Sequence, residues 1–201
     1  MKKYLFLIFV IFTTLHVFSQ ETVKKNQLGI HFSAGTNAVF GEGTELCGGH
    51  CYEGTGAYLI GLKYSRGITK RIEVESGIDF SQNKIKILPN RSSSIYVPTI
   101  YTDLYMFSVP FLFKCYFGKV FFINAGTQID FETNSNKVKS INNQSGIGYS
   151  IGFGTRFKII NNYFVSINPY FKQHARIAFS HETYSQRLTE FGVQLDFNFN
   201  F

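Results

Sequence analysis

The sequence predicts an all-β protein: a single up-and-down antiparallel transmembrane β-barrel of about eight strands, with short periplasmic turns and long extracellular loops. Three observations predict it. The chain opens like an exported protein, its later segments alternate apolar and polar residues with period two, and the connections between those segments are alternately long and short.

The export signal comes first in the chain. Lys2 and Lys3 form a positive start, residues 4–12 an almost unbroken apolar run, and Val17 and Ser19 stand where small residues precede a cleavage site. Residues 1–19 therefore read as a signal peptide and residues 20–201 as one outer-membrane β-barrel domain. The apolar run is short for a spanning helix and meets polar Ser19, Gln20 and Glu21 at once, which argues against a retained anchor. Beyond Gln20 no stretch approaches the roughly eighteen apolar residues a spanning helix needs, so entry into a membrane requires a closed barrel.

The strands follow in order. In the first, Leu28, Ile30, Phe32 and Ala34 share one face, and Gly29, His31, Ser33 and Gly35 the other. The second sets Tyr58, Ile60, Leu62 and Tyr64 against Leu59, Gly61, Lys63 and Ser65. The third sets Ile72, Val74, Ile78 and Phe80 against Glu73, Glu75, Gly77 and Asp79. In the fourth, Phe107, Val109, Phe111, Phe113, Cys115 and Phe117 oppose Ser108, Pro110, Leu112, Lys114 and Tyr116. The fifth places Phe121, Ile123, Ala125, Ile129 and Phe131 opposite Phe122, Asn124, Gly126, Gln128 and Asp130. The sixth places Ile147, Tyr149, Ile151, Phe153 and Phe157 opposite Gly148, Ser150, Gly152, Gly154, Arg156 and Lys158. The seventh, about 163–172, is the least regular, and Pro169 within it suggests a bulge or a frayed position because proline cannot donate to the ladder. The last is clearest: Phe191, Val193, Leu195, Phe197, Phe199 and Phe201 form an apolar face expected to meet lipid, over Gly192, Gln194, Asp196, Asn198 and Asn200.

Long connections are expected over 37–55, 83–102, 132–145 and 173–187, and short turns near 66–70, 118–119 and 160–162. Four long and three short connections join eight strands, and a barrel of that size has an interior wide enough only for its own side chains. Inward charges then need partners: Lys63, Glu73, Glu75, Asp79, Lys114 and Arg156 read as a lumen network, with Lys63 and Glu73 placed to pair across the turn at Gly67.

The segment Phe107-Ser108-Val109-Pro110-Phe111-Leu112-Phe113-Lys114 resembles a strand motif of the PorT-like outer-membrane β-barrel proteins of Bacteroidota. The Phe18-Ser19-Gln20 ending of the signal, the Gly67-Ile68-Thr69 turn and the terminal aromatic strand are similar to that family too. The resemblance implies the fold and an outer-membrane location. A role in protein secretion is associated with one member, so a secretion-system component is an alternative it brings.

Chemistry-bearing residues are sparse. Cys47 and Cys51 enclose Gly48, Gly49 and His50; they read as a disulfide formed in an oxidising periplasm, with free thiols and a metal site as alternatives, the last lacking an evident fourth ligand. His174 and His181, in or beside the fourth long loop with Ser180, Glu182 and Ser185, motivate a hydrolase acting on lipid A or peptide, against which stands the ordinary polarity of loops. No catalytic residue and no cofactor is expected. Removing Lys2 and Lys3 takes the formal charge from +7 to +5 without a basic cluster, which argues against nucleic acid. The expected partners are outer-membrane lipid, the outer-membrane insertion machinery, and an envelope or extracellular protein at the long loops.

Overall fold

A computed structural model of the chain describes residues 26–41, 51–88, 99–133, 142–180 and 186–201. The strands are β1 (Asn26–Gly41), β2 (Cys51–Gly67), β3 (Ile72–Leu88), β4 (Ile100–Phe117), β5 (Phe121–Glu132), β6 (Gly146–Ile160), β7 (Tyr163–Ala178) and β8 (Gln186–Asn200). Each pairs antiparallel with its neighbours in sequence, and β1 pairs with β8 to close the barrel.

The two faces separate as the period-two pattern requires. Outward residues are apolar and open, as with Leu62 and Phe113, each 63% exposed, and with Phe191, Val193, Leu195, Phe197, Phe199 and Phe201. Inward residues are polar and buried, including His31, Lys63, Glu75, Asp79, Lys114, Asp130 and Asp196. Inward glycines let the wall curve tightly: a Cβ at Gly126 would press into the Phe111 carbonyl oxygen on β4. Gly118, at φ +67°, turns the chain between β4 and β5, where a side chain would be strained.

Three sequence expectations need correction. The long connections at residues 37–55, 83–102 and 173–187 are shorter than expected, because β1, β2, β3, β4, β7 and β8 all continue into them. The reason lies on the inward face, where Ile85, Leu104, Met106 and Leu188 form an apolar cluster joined by Val39 and Tyr52. Outward on the same stretch stand Lys84, Lys86 and Asp103. On β3 the polarity of the two faces thus reverses while the strand keeps its parity, and the barrel wall continues with apolar residues inside.

Second, Lys63 and Glu73 do not pair. The β2–β3 turn is closed by Ile68 and Thr69 donating to the Ile72 carbonyl, at 2.9 and 3.1 Å, so Gly67 stands opposite Glu73 and Lys63 opposite Gly77.

Third, Pro169 makes no bulge: it stands opposite Val193 on β8, and the β6–β7 register is the same at Gly152↔Tyr170 and Thr155↔Ile167, with the pairing interrupted between them at Asn168 and Pro169. The irregularity lies instead at Ala175, whose φ is 44° and where three β7 residues oppose one on β6. Beyond it β7 leaves β8: their ladder ends at Gln173↔Thr189, while β8 stays paired with β1 as far as Gly41↔Gln186. The Gln144 side chain fills the gap, accepting from Leu188 N and donating to the Gln186 carbonyl, both at 2.9 Å. One side-chain amide thereby stands in for a strand neighbour.

Candidate functional site

The lumen holds stacked polar layers, each built by closure of the barrel from residues distant in sequence. Nearest the short turns, Glu73 accepts from Gln27 Nε2 and from the Tyr116 hydroxyl, both at 2.8 Å, and pairs with Arg156 at 3.3 Å. Arg156 also donates to Tyr116 at 2.7 Å and lies 4.0 Å over the Phe164 ring.

In the next layer Glu75 meets Lys114 at 2.7 Å and Lys63 at 3.3 Å, and Lys63 reaches Asp196 at 2.9 Å. Above it Asp79 pairs with His31 at 2.9 Å and Lys172 at 3.2 Å. The last polar layer places the His174 ring between Asp130 and Glu190, each 3.1 Å from one ring nitrogen. Asp130 also accepts from Ser108 at 2.6 Å, and Glu190 from Asn83 at 2.5 Å, with Asn83 in turn bonded to Asn37 at 2.7 Å. The apolar cluster follows immediately on β3, β4 and β8.

These pairs join six carboxylates (Glu73, Glu75, Asp79, Asp130, Glu190, Asp196) to four Lys or Arg side chains (Lys63, Lys114, Arg156, Lys172) and two histidines. His174 faces a carboxylate from each nitrogen, and its Nδ1 also lies 3.0 Å from Gln128 Nε2. All twelve groups are within the barrel wall and ion-paired, so the chemistry on offer is cross-linking of strands. A bond such as Lys63 to Asp196 ties β2 to β8 across β1.

The structure places each predicted lumen residue inside: Lys63, Glu73, Glu75, Asp79, Lys114 and Arg156 all take part. His31, Asp130, Lys172, His174, Glu190 and Asp196 belong with them and were not named for the network. For His31, Asp130 and Asp196 the signal was present, since all three sit on the polar face of an alternating strand. Lys172 and His174 keep the inward parity of Ser166, Asn168 and Tyr170, and Glu190 that of Gln194 and Asp196; they lie where the outward apolar rows end, at Phe171 and Phe191.

His174, expected in or beside an outer loop, is instead a buried β7 residue with both ring nitrogens on carboxylates. His181, Glu182, Ser185, Cys47 and His50 lie outside the described residues, and so does any bond between Cys47 and Cys51. Cys115 is a half-buried free thiol. Among the described residues no group of three His, Cys, Asp or Glu is arranged to hold a metal ion.

No family model matches the chain, and no curated protein matches it. Solved structures do. The outer membrane protein OprG from Pseudomonas aeruginosa superposes with a TM-score of 0.57 over 89% of this chain and 97% of that one, at 10% identity. The N-terminal β-barrel domain of Pseudomonas aeruginosa OprF aligns over 90% of this chain and 100% of that one, with a TM-score of 0.47 and 14% identity. Ail, the attachment invasion locus protein of Yersinia pestis, aligns over 87% and 99%, with a TM-score of 0.45 and 14% identity. The likeness to OprG at this identity shows the fold alone, and the two looser superpositions carry no argument.

Proposed function

We propose that this chain is an outer-membrane β-barrel whose lumen is closed and whose work is done at its surface-exposed ends, as a non-enzymatic structural or surface-interaction protein. One observation carries the reading: the wall is apolar outside and ion-paired inside, the inverse of a water-soluble domain. The apolar face of β8 from Phe191 to Phe201 covers ten residue steps, about 33 Å along the strand, or about 25 Å of height at the usual tilt of such barrels. That height matches the apolar band of an outer-membrane barrel.

In this reading residues 1–19 are the cleaved signal peptide, the terminal aromatic strand is presented to the insertion machinery, and both termini face the periplasm. The outward polar residues Lys84, Lys86 and Asp103 then stand in water beyond the outer leaflet, on strands that carry the long connections to an envelope or extracellular partner. The PorT-like family is the finer assignment, supported by the 107–114 motif, and it keeps a role in protein secretion as the alternative. The hydrolase alternative loses its main residue, since His174 has no ring nitrogen left for a substrate.

The test is cross-linking in intact cells followed by purification of the chain from outer membranes. Reproducible capture of an envelope or surface protein, lost when residues 90–97 are replaced by a short Gly-Ser link, supports the reading. Recovery of the chain in the soluble periplasmic fraction contradicts it.

A further inference from the structure

The short-turn end of the barrel is electrically one-sided. Arg66, Lys70, Lys119 and Lys158 are exposed there and Arg71 is half-buried, while the described carboxylate side chains lie in the lumen (Glu73, Glu75, Asp79, Asp130, Glu190, Asp196) or toward the other end (Glu53, Asp103, Glu132). An apolar groove of about 890 Å³ lies on the strands that carry two of these cations, Arg66 and Lys158. Leu28, Leu62, Tyr64, Ile159, Ile160 and Phe199 line it. Arg66 continues the outward row of Leu62 and Tyr64 by one step, and Lys158 immediately precedes Ile159 and Ile160.

An apolar trough ending at cations matches a molecule with hydrocarbon chains and an anionic head. We propose that this groove binds an anionic phospholipid of the periplasmic leaflet, its acyl chains along Leu62 and Ile160 and its phosphate at Arg66, with Lys158 adding long-range attraction. The proposal rests on the membrane reading above, which sets that end of the barrel at the inner leaflet. A second copy of the chain fits less well, because two parallel barrels meeting at this face would bring cationic rims together at one level. A phosphate at Arg66 gains a planar guanidinium able to donate two hydrogen bonds, and each nearby cation adds attraction that decays within a Debye length.

The experiment is native mass spectrometry of the refolded full chain, released from vesicles holding equal amounts of phosphatidylglycerol and phosphatidylcholine. The wild type should retain phosphatidylglycerol over phosphatidylcholine. Arg66→Gln should cut that preference about fivefold, the factor expected for one cation near an anionic surface. Lys84→Gln, at the opposite end, should leave it unchanged, and Leu62→Ser should lower retention of both lipids. Equal retention of the two lipids by a folded wild type, an unchanged preference in Arg66→Gln, or an equal loss in Lys84→Gln overturns the proposal while leaving the membrane reading intact. Preferential retention of lipid A added to the same vesicles overturns it too. Folding of the chain in buffer without any amphiphile overturns the membrane reading itself, and the proposal with it.

Discussion

Replacing Glu75 by Gln removes the centre of the most heavily cross-linked layer in the lumen. Glu75 is buried, accepts from Lys114 at 2.7 Å and from Ser65 at 3.3 Å, and pairs with Lys63 at 3.3 Å. Without its charge Lys63 keeps Asp196 at 2.9 Å, but Lys114 loses the carboxylate within ion-pairing reach of it among the described residues. A buried cation left without a partner costs about 3 to 5 kcal/mol, and Glu75→Gln should lose that much. Lys63→Met leaves Glu75 on Lys114 but strips buried Asp196 of its ion pair, with the Gln194 amide at 2.6 Å remaining, and should likewise cost about 3 to 5 kcal/mol. The double variant Glu75→Gln with Lys114→Met removes both charges together and should recover all but about 1 kcal/mol. Urea titration in phosphatidylcholine vesicles, followed by circular dichroism and by the mobility shift of the folded barrel on unheated gels, supplies the free energies. If Glu75→Gln costs under about 1 kcal/mol, or the double variant is as unstable as the single, the lumen charges are not coupled and the reasoning fails.

Gln144→Ala strips the Leu188 amide and the Gln186 carbonyl of their substitute neighbour, at about 1 to 3 kcal/mol. Exchange of the Leu188 amide should quicken while that of the β1–β2 amides does not; equal change across the barrel would show that Gln144 is no local clasp. Gly126→Val should block assembly, since its Cβ meets the Phe111 carbonyl oxygen, whereas Ala125→Val, on the open outer face, should fold; recovery of folded Gly126→Val would refute the close approach. In planar bilayers the chain should pass no single-channel current, because Glu73, Glu75, Asp79 and His174 cross-link the lumen at successive levels. Discrete conductance steps that persist after purification would contradict the closed lumen.

The barrel was legible because lipid-type alternation is strict on most strands, and because turn lengths count strands independently of composition. The extensions were not, for a physical reason: Lys84-Ile85-Lys86-Ile87 alternates just as clearly, but with its apolar residues facing in. An expectation of apolar-out strands ends at Gln82 and reads the rest as loop. The ionic pairs were half legible. Strand parity sends Lys63, Glu75 and Lys114 inward, while partner choice depends on register, and the register of β2 and β3 turned on hydrogen bonds at Ile68 and Thr69. His174 keeps the inward parity of Asn168, Tyr170 and Lys172 and was misplaced because the outward apolar row ends at Phe171, so the strand was expected to stop at 172.

Whether the outer face meets lipid is tested most directly by depth dependence. Leu195 and Phe201 lie on the same face of the last strand, the first near its middle and the second at the chain end. In equilibrium refolding into phosphatidylcholine vesicles, Leu195→Arg should cost about 2 to 4 kcal/mol and Phe201→Arg about 0 to 1 kcal/mol. Equal costs at the two positions, or a native β spectrum reached in buffer without lipid or detergent, would contradict contact with lipid.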